Sequence, residues 1–187
     1  DTTTAFHVSS RLPRQMWALR HAPEEVAPPT LSNVLSYAVS MYRTNICGGL
    51  LCGRAALTAL IARVDASRKS GEPPTPDAVR AHVELWRHLI HLRRTAYAFL
   101  ELAAAEAPQV GAPLMAARAA FVREVELLRA GLADNIVLQE KNGTIFPPEW
   151  ATSAAFAELL TLEEVLDLED EAHRHLEFAR DHLDLLK

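Results

Sequence analysis

Eight histidines in 187 residues are the first side chains to test for chemistry, because imidazole binds metals and exchanges protons near neutral pH. Glu84, His88 and His91 are spaced i, i+4 and i+7, so a helix carries all three on one face. Asp170, His173 and Glu177 repeat the arrangement near the C-terminus, with His175 and His182 close by. Carboxylates and imidazoles converging from two helices are how a bundle holds iron, manganese or zinc. The di-iron pattern, however, wants Glu-x-x-His on each of two helices and two further glutamates. This chain supplies only Asp170-x-x-His173, opposite a Glu84-x-x-x-His88 spacing, and the His-Glu-x-x-His zinc motif is absent. Solvated or salt-bridged helix faces account for both clusters without a metal. The six residues therefore stand as candidates only, metal is not favoured, and no cofactor is expected. Arg87, His88, His91 and Arg94 also make a basic ridge. It suits a phosphate or carboxylate ligand, or the acidic final helix of the same chain. The internal pairing needs no further molecule and is preferred.

Cys47 and Cys52 lie in Ile46-Cys47-Gly48-Gly49-Leu50-Leu51-Cys52. Two thiols five apart make neither a four-ligand zinc site nor a CxxC redox motif. The expectation is buried free cysteines in a reducing, intracellular compartment. The adjacent glycines offer backbone amides for an anion hole, but nothing in the sequence places a base beside either thiol. A Walker loop, a Gly-x-Ser-x-Gly elbow and a dinucleotide fingerprint are all missing. The chain reads as non-enzymatic. The Asn142-Gly143-Thr144 sequon matters only for a secreted protein.

The composition is that of a folded, water-soluble domain, with 49% apolar and 23% charged residues. Apolar stretches stop well short of the roughly 18–20 residues of a membrane-spanning helix. Asp1 opens the chain without a basic and apolar leader, which reads as a mature or trimmed soluble fragment. The net charge of −5 is polarised. Residues 145–187 hold 11 acidic and 3 basic side chains, whereas residues 1–144 hold 13 and 16. Such a distribution steers a basic partner or lets copies attract head to tail, although one acidic solvated helix face explains it more simply. A basic stripe interleaved with aromatics is lacking, so nucleic acid is not expected as a partner.

The elements that must position these residues are helical. Residues 1–29 read as an irregular arm broken by Pro13, Pro23, Pro28 and Pro29. Residues 30–187 read as a single helical-bundle domain. Thr30 caps a helix whose apolar spacing continues past Gly48-Gly49 to Val64, favouring one long, bent element over two. Thr75-Pro76-Asp77 starts a helix of about thirty residues. Its two apolar stripes, Val79-Val83-Trp86-Ile90-Tyr97 and Leu85-Leu89-Leu92-Ala96-Phe99, predict a wide buried face and a core-organising position. A further helix runs from near Pro113 to Lys141-Asn142-Gly143, followed by a Pro147-Pro148 connector and a short helix over Glu149–Leu160. Thr161 is the expected cap of the last helix, whose seam is Val165, Leu168, Ala172, Leu176, Ala179, Leu183 and Leu186. Alternating β-branched runs flanking a hairpin dipeptide are not found. The expected fold is all-α: a bundle of about four main helices, short helices and the N-terminal arm.

The function expected from this pattern is a helical scaffold or protein–protein interaction domain. It would meet a protein partner or a second copy through the final helix or the Pro-rich segments. Trp17, Trp150, Val165, Leu168, Leu176 and Leu183 are the expected interaction residues. The competing expectation is a helical bundle binding a metal or small molecule through the histidine and acid faces. A ligand-sensing domain separated from a DNA-binding part is a third.

Overall fold

The computed structural model describes the backbone over residues 29–71, 76–142 and 154–186, and side chains over 29–71, 84–131 and 160–186. Contacts divide the chain at Thr30/Leu31, and the unit described below is Leu31–Lys187. Trp17 and Trp150 lie outside the described residues, as do most of the predicted arm, the Pro147-Pro148 connector and the side chains of Val79 and Val83.

Helix α1 (Leu31–Arg43) buries Ser32, Leu35, Val39 and Tyr42, whose spacing of three and four keeps them on one side. At its end the chain does not continue as the bent helix predicted. Strands β1 (Ile46–Cys47) and β2 (Leu50–Leu51) pair antiparallel, Cys47 opposite Leu50 and Ile46 opposite Leu51. Gly48 and Gly49 both have positive φ, at 59° and 82°, which a two-residue hairpin turn demands and a right-handed helix forbids. The Cys52 amide donates to the Asn45 carbonyl at 3.1 Å and closes the hairpin. The short flanking strands hid this turn from the sequence reading. The cysteines also differ from expectation: Cys47 is exposed and Cys52 only half-buried, because they sit on this hairpin rather than inside a helix pair.

Helix α2 (Gly53–Ser70) ends at Gly71, whose left-handed φ of 66° is the usual helix stop. Helix α3 (Pro76–Glu106) begins at the predicted proline. A single 3-10 turn, Pro108–Val110, then reverses the chain into helix α4 (Gly111–Asn142). Ala107 and Val110 are buried in this corner, which sets α3 and α4 side by side. Helix α5 spans Ala154–Leu185, merging the predicted short helix with the predicted last one. The physical reason is that Ala154 through Leu160 contains good helix formers and no breaker, so Thr161 has no end to cap.

The architecture is an all-α bundle with one small hairpin among the described residues. Packing corrects the predicted centre: α5 touches α1, α2 and α4, while α3 packs chiefly along α4. Of the two apolar stripes predicted on α3, Trp86 is fully buried but Leu85, Leu92 and Phe99 face solvent. Leu89 and Ala96 of the second stripe pack against the core with Ile90 and Tyr97 of the first, so the buried face is narrower than the two full stripes. The Trp86 ring packs against Gly131 of α4, where a β-carbon would fall 2.5 Å from it.

The apolar interior is in two clusters. One gathers Leu35 and Val39 of α1, Leu100 of α3, Leu114 and Phe121 of α4, and Leu176 of α5, with smaller residues between. The other joins Leu57 of α2, Trp86 of α3, Leu128 of α4, and Leu162 and Val165 of α5. Near the boundary of the two clusters each of the three long helices carries one member of a charged trio: Arg93 on α3, Glu124 on α4, and on α5 Glu169, which directly follows Leu168 of the first cluster.

Candidate functional site

Two buried carboxyl groups share one guanidinium at this junction. Glu124 and Glu169 are both fully buried, and Arg93 is the cation between them. Arg93 donates through Nε and Nη2 to Glu169 Oε1. Its Nε also stands 3.3 Å from Glu124 Oε2, near enough for Coulomb attraction but without hydrogen-bond alignment. Burial and the neighbouring Glu169 charge push the Glu124 carboxyl up to about 9, and Arg93 only partly opposes them. Glu124 is therefore a neutral acid at physiological pH, and Arg93 makes its ion pair with Glu169. A buried ionic layer of this kind sets the register of three helices more than it adds stability.

His173 lies one turn along α5 from Glu169. Its Nδ1–H donates to the Glu169 backbone carbonyl at 2.8 Å, which fixes the tautomer and leaves Nε2 as an acceptor. Burial pulls the imidazole pKa below its ordinary value, against the Glu169 charge, so the ring is neutral. Tyr42 stacks on it with ring centroids 3.7 Å apart, and Phe121 meets it edge-on at 6.0 Å. Arg93 lies over the same Phe121 ring, 5.2 Å from its centre.

Above this layer Tyr42 donates its hydroxyl to Asp170 Oδ1 at 2.7 Å, and Arg54 Nε donates to both oxygens of the same carboxylate at 3.0 and 3.1 Å. Burial alone would raise the Asp170 carboxyl, but these hydrogen bonds from Arg54 and Tyr42 outweigh it and hold the group below the usual range. Burial and the hydrogen bond to Asp170 push the Tyr42 hydroxyl well above its ordinary value, so it remains a donor. Arg43 pairs with Glu177 beside it.

The sequence candidates thus divide. Asp170, His173 and Glu177 do share one face of α5, but each is engaged within the chain by Arg54 and Tyr42, by Glu169, or by Arg43. Glu84, His88 and His91 are exposed on α3, and Glu84 pairs with Arg87 at 2.6 Å. The two clusters are not brought together. Among the described residues no three His, Cys, Asp or Glu side chains are placed to hold one metal ion. Between Glu124 and Glu169 it is the Arg93 guanidinium that supplies the positive charge. The cross-helix pairing expected of Arg87 and Arg94 falls instead to Arg93, which no earlier criterion singled out. Val165, Leu168 and Leu176 are buried in the chain's own core, and Leu183 packs against it. That seam is closed inside the molecule.

Two hollows flank the Tyr42–His173 stack. An open groove of about 650 Å³ carries mixed charge from Arg43, Arg54, Asp167, Asp170, Arg174 and Glu177. A smaller cavity of about 280 Å³ has Leu35, Ala38, Leu100, Phe121 and Leu176 in its walls, with Arg93 and His173 as polar lining groups. No family model, curated protein or solved structure matches the chain. No described helix is long and apolar enough to cross a membrane.

Proposed function

We propose that this chain is a non-enzymatic helical interaction domain that docks through the outward face of α3. The observation that carries the reading is the row Leu85, Leu92, Phe99 and Leu102, each 38–67% exposed. The first three are seven residues apart, the repeat that a second helix reads as a continuous seam. Exposed His88 and His91 lie beside the row, while Arg87 and Arg94 stand across the exposed face of α3, so an amphipathic helix with acidic groups reaching across that face is the complementary partner. A second copy offers such flanks: the outer face of α5 exposes Glu163, Glu164, Asp167 and Glu171. The free thiols on the hairpin suit a reducing, intracellular compartment.

Sedimentation velocity over a wide concentration range tests the reading. Wild type is expected to associate, with association weakened by salt. Leu92→Glu and Phe99→Glu should abolish it while changing stability by only about 0.5 kcal/mol, because both side chains are exposed in the free chain. A wild-type chain that stays monomeric at every concentration, and that captures no partner the two variants fail to capture, would sink the proposal.

A further inference from the structure

We infer that the smaller cavity is a binding site for a compact apolar carboxylic acid, with the carboxyl group held between Arg93 and His173. The walls are apolar on three sides, from Leu35 and Ala38 of α1, Leu100 of α3 and Leu176 of α5. Two polar groups beside them differ in kind. Arg93 has only part of its five-donor fork committed to the glutamates, and its side chain keeps 21% exposure while both partners are buried. His173 has its Nδ1 proton fixed on a backbone carbonyl, so Nε2 is an acceptor. A donor fork beside a basic nitrogen is complementary to a carboxyl group, which accepts from the first and gives its proton to the second. A primary amide or an alcohol also meets both groups, but only the carboxyl makes charge-assisted hydrogen bonds to each, once its proton has passed to His173.

Charge balance sets what enters with the ligand. Arg93 is already paired with Glu169, and Glu124 is held in its neutral form. A carboxylate adds a negative charge beside this layer, so it enters with one proton from solvent, which resides on His173. The groups facing that imidazole are consistent with this. Tyr42 of α1 stacks on it, Arg93 of α3 disfavours its charged form, and Glu169 and Asp170 of α5 favour it. Arg54 of α2 reaches it only through Asp170, Glu124 of α4 lies beside Glu169, and Glu177 is held by Arg43. Cys52, half-buried, also lines the cavity. A volume of about 280 Å³ is below that of most drug-sized sites, so the ligand has on the order of ten heavy atoms.

Isothermal titration calorimetry with phenylacetate, and with neutral phenylacetamide of the same shape, tests the site. The titrations are run near pH 6 and near pH 8, in two buffers of different ionisation enthalpy. Phenylacetate is expected to bind with uptake of about one proton and to lose up to about tenfold in affinity per pH unit. Phenylacetamide should bind about tenfold more weakly at the lower pH. Ala38→Phe fills the cavity without touching the charged layer and should abolish binding with the melting curve retained; Ala96→Leu does so from another wall. His173→Gln should remove the proton uptake. Equal affinity for acid and amide, undiminished binding in both filled variants, or no saturable binding at millimolar phenylacetate would each overturn the inference.

Discussion

Glu124 carries the most direct prediction at the scale of a single residue. Its carboxyl is held at about 9 in the folded chain against an ordinary 4.5, so folding retains a proton that the unfolded chain releases. The associated stability is full below about pH 4.5 and is lost as pH rises towards 9. Urea unfolding at pH 7 and pH 9 should therefore give a falling midpoint. Glu124→Gln, which imitates the protonated acid, should flatten that fall. His173 acts in the opposite sense: its depressed pKa contributes stability above the ordinary imidazole value and loses it as pH falls through the folded one. Arg93→Met should cost about 3–5 kcal/mol, since it leaves an ionised carboxylate buried without its counter-charge. A midpoint shift below about 1 kcal/mol would show that the pair shares a single proton at no cost. The positions of these three charges were legible in outline. Arg93 lies in register with Trp86, Ile90, Tyr97 and Leu100, Glu124 with Phe121 and Leu128, and Glu169 with Val165 and Ala172. A charge at a core position on each of three helices is a signal. Ranking candidates by histidine spacing passed over it, because a metal site and a salt-bridged face are written in the same residue types.

At the scale of elements, glycine backbone geometry decides what periodicity alone left open. Apolar spacing runs across Gly48-Gly49 as if one helix continued, since a hairpin of two-residue strands leaves no alternating pattern to read. Gly53 fixes the exit from that hairpin, with φ of 51° and the Tyr42 carbonyl where a β-carbon would go. Gly53→Ala should destabilise by at least about 2 kcal/mol, left-handed strain and backbone overlap adding together, as read by thermal or urea unfolding. Gly48→Ala meets nothing within 4 Å and should cost about 1–2 kcal/mol, the left-handed term alone. The start of α3 is legible at Pro76, because a proline after a capping threonine marks it. Thr161 was misread because a good cap residue is also tolerated inside a helix whose preceding turn is rich in alanine and leucine.

For the whole molecule, the all-α class followed from the 3.6-residue periodicity of every long segment. Which helix is central did not follow, because a stripe's width does not say whether a neighbour or a partner covers it. The α5 seam expected to meet a partner is buried in the chain's own core, whereas Leu85, Leu92 and Phe99 of α3 are exposed. The two apolar clusters, meeting at the layer of Arg93, Glu124 and Glu169, have a consequence for how the chain comes apart. Each cluster is a candidate cooperative unit; Leu127 packs against both, and the charged layer is the polar part of their coupling. Ionising Glu124 in alkali weakens that coupling first. Near pH 9 the chain should thus lose all-or-none unfolding. Fluorescence of a variant that keeps Trp86 and replaces Trp17 and Trp150 by Phe would report one end, and amide exchange at Leu114 and Phe121 the other, with separate midpoints that coincide again near pH 6. A protein built this way has a fracture plane written into it by three charged side chains.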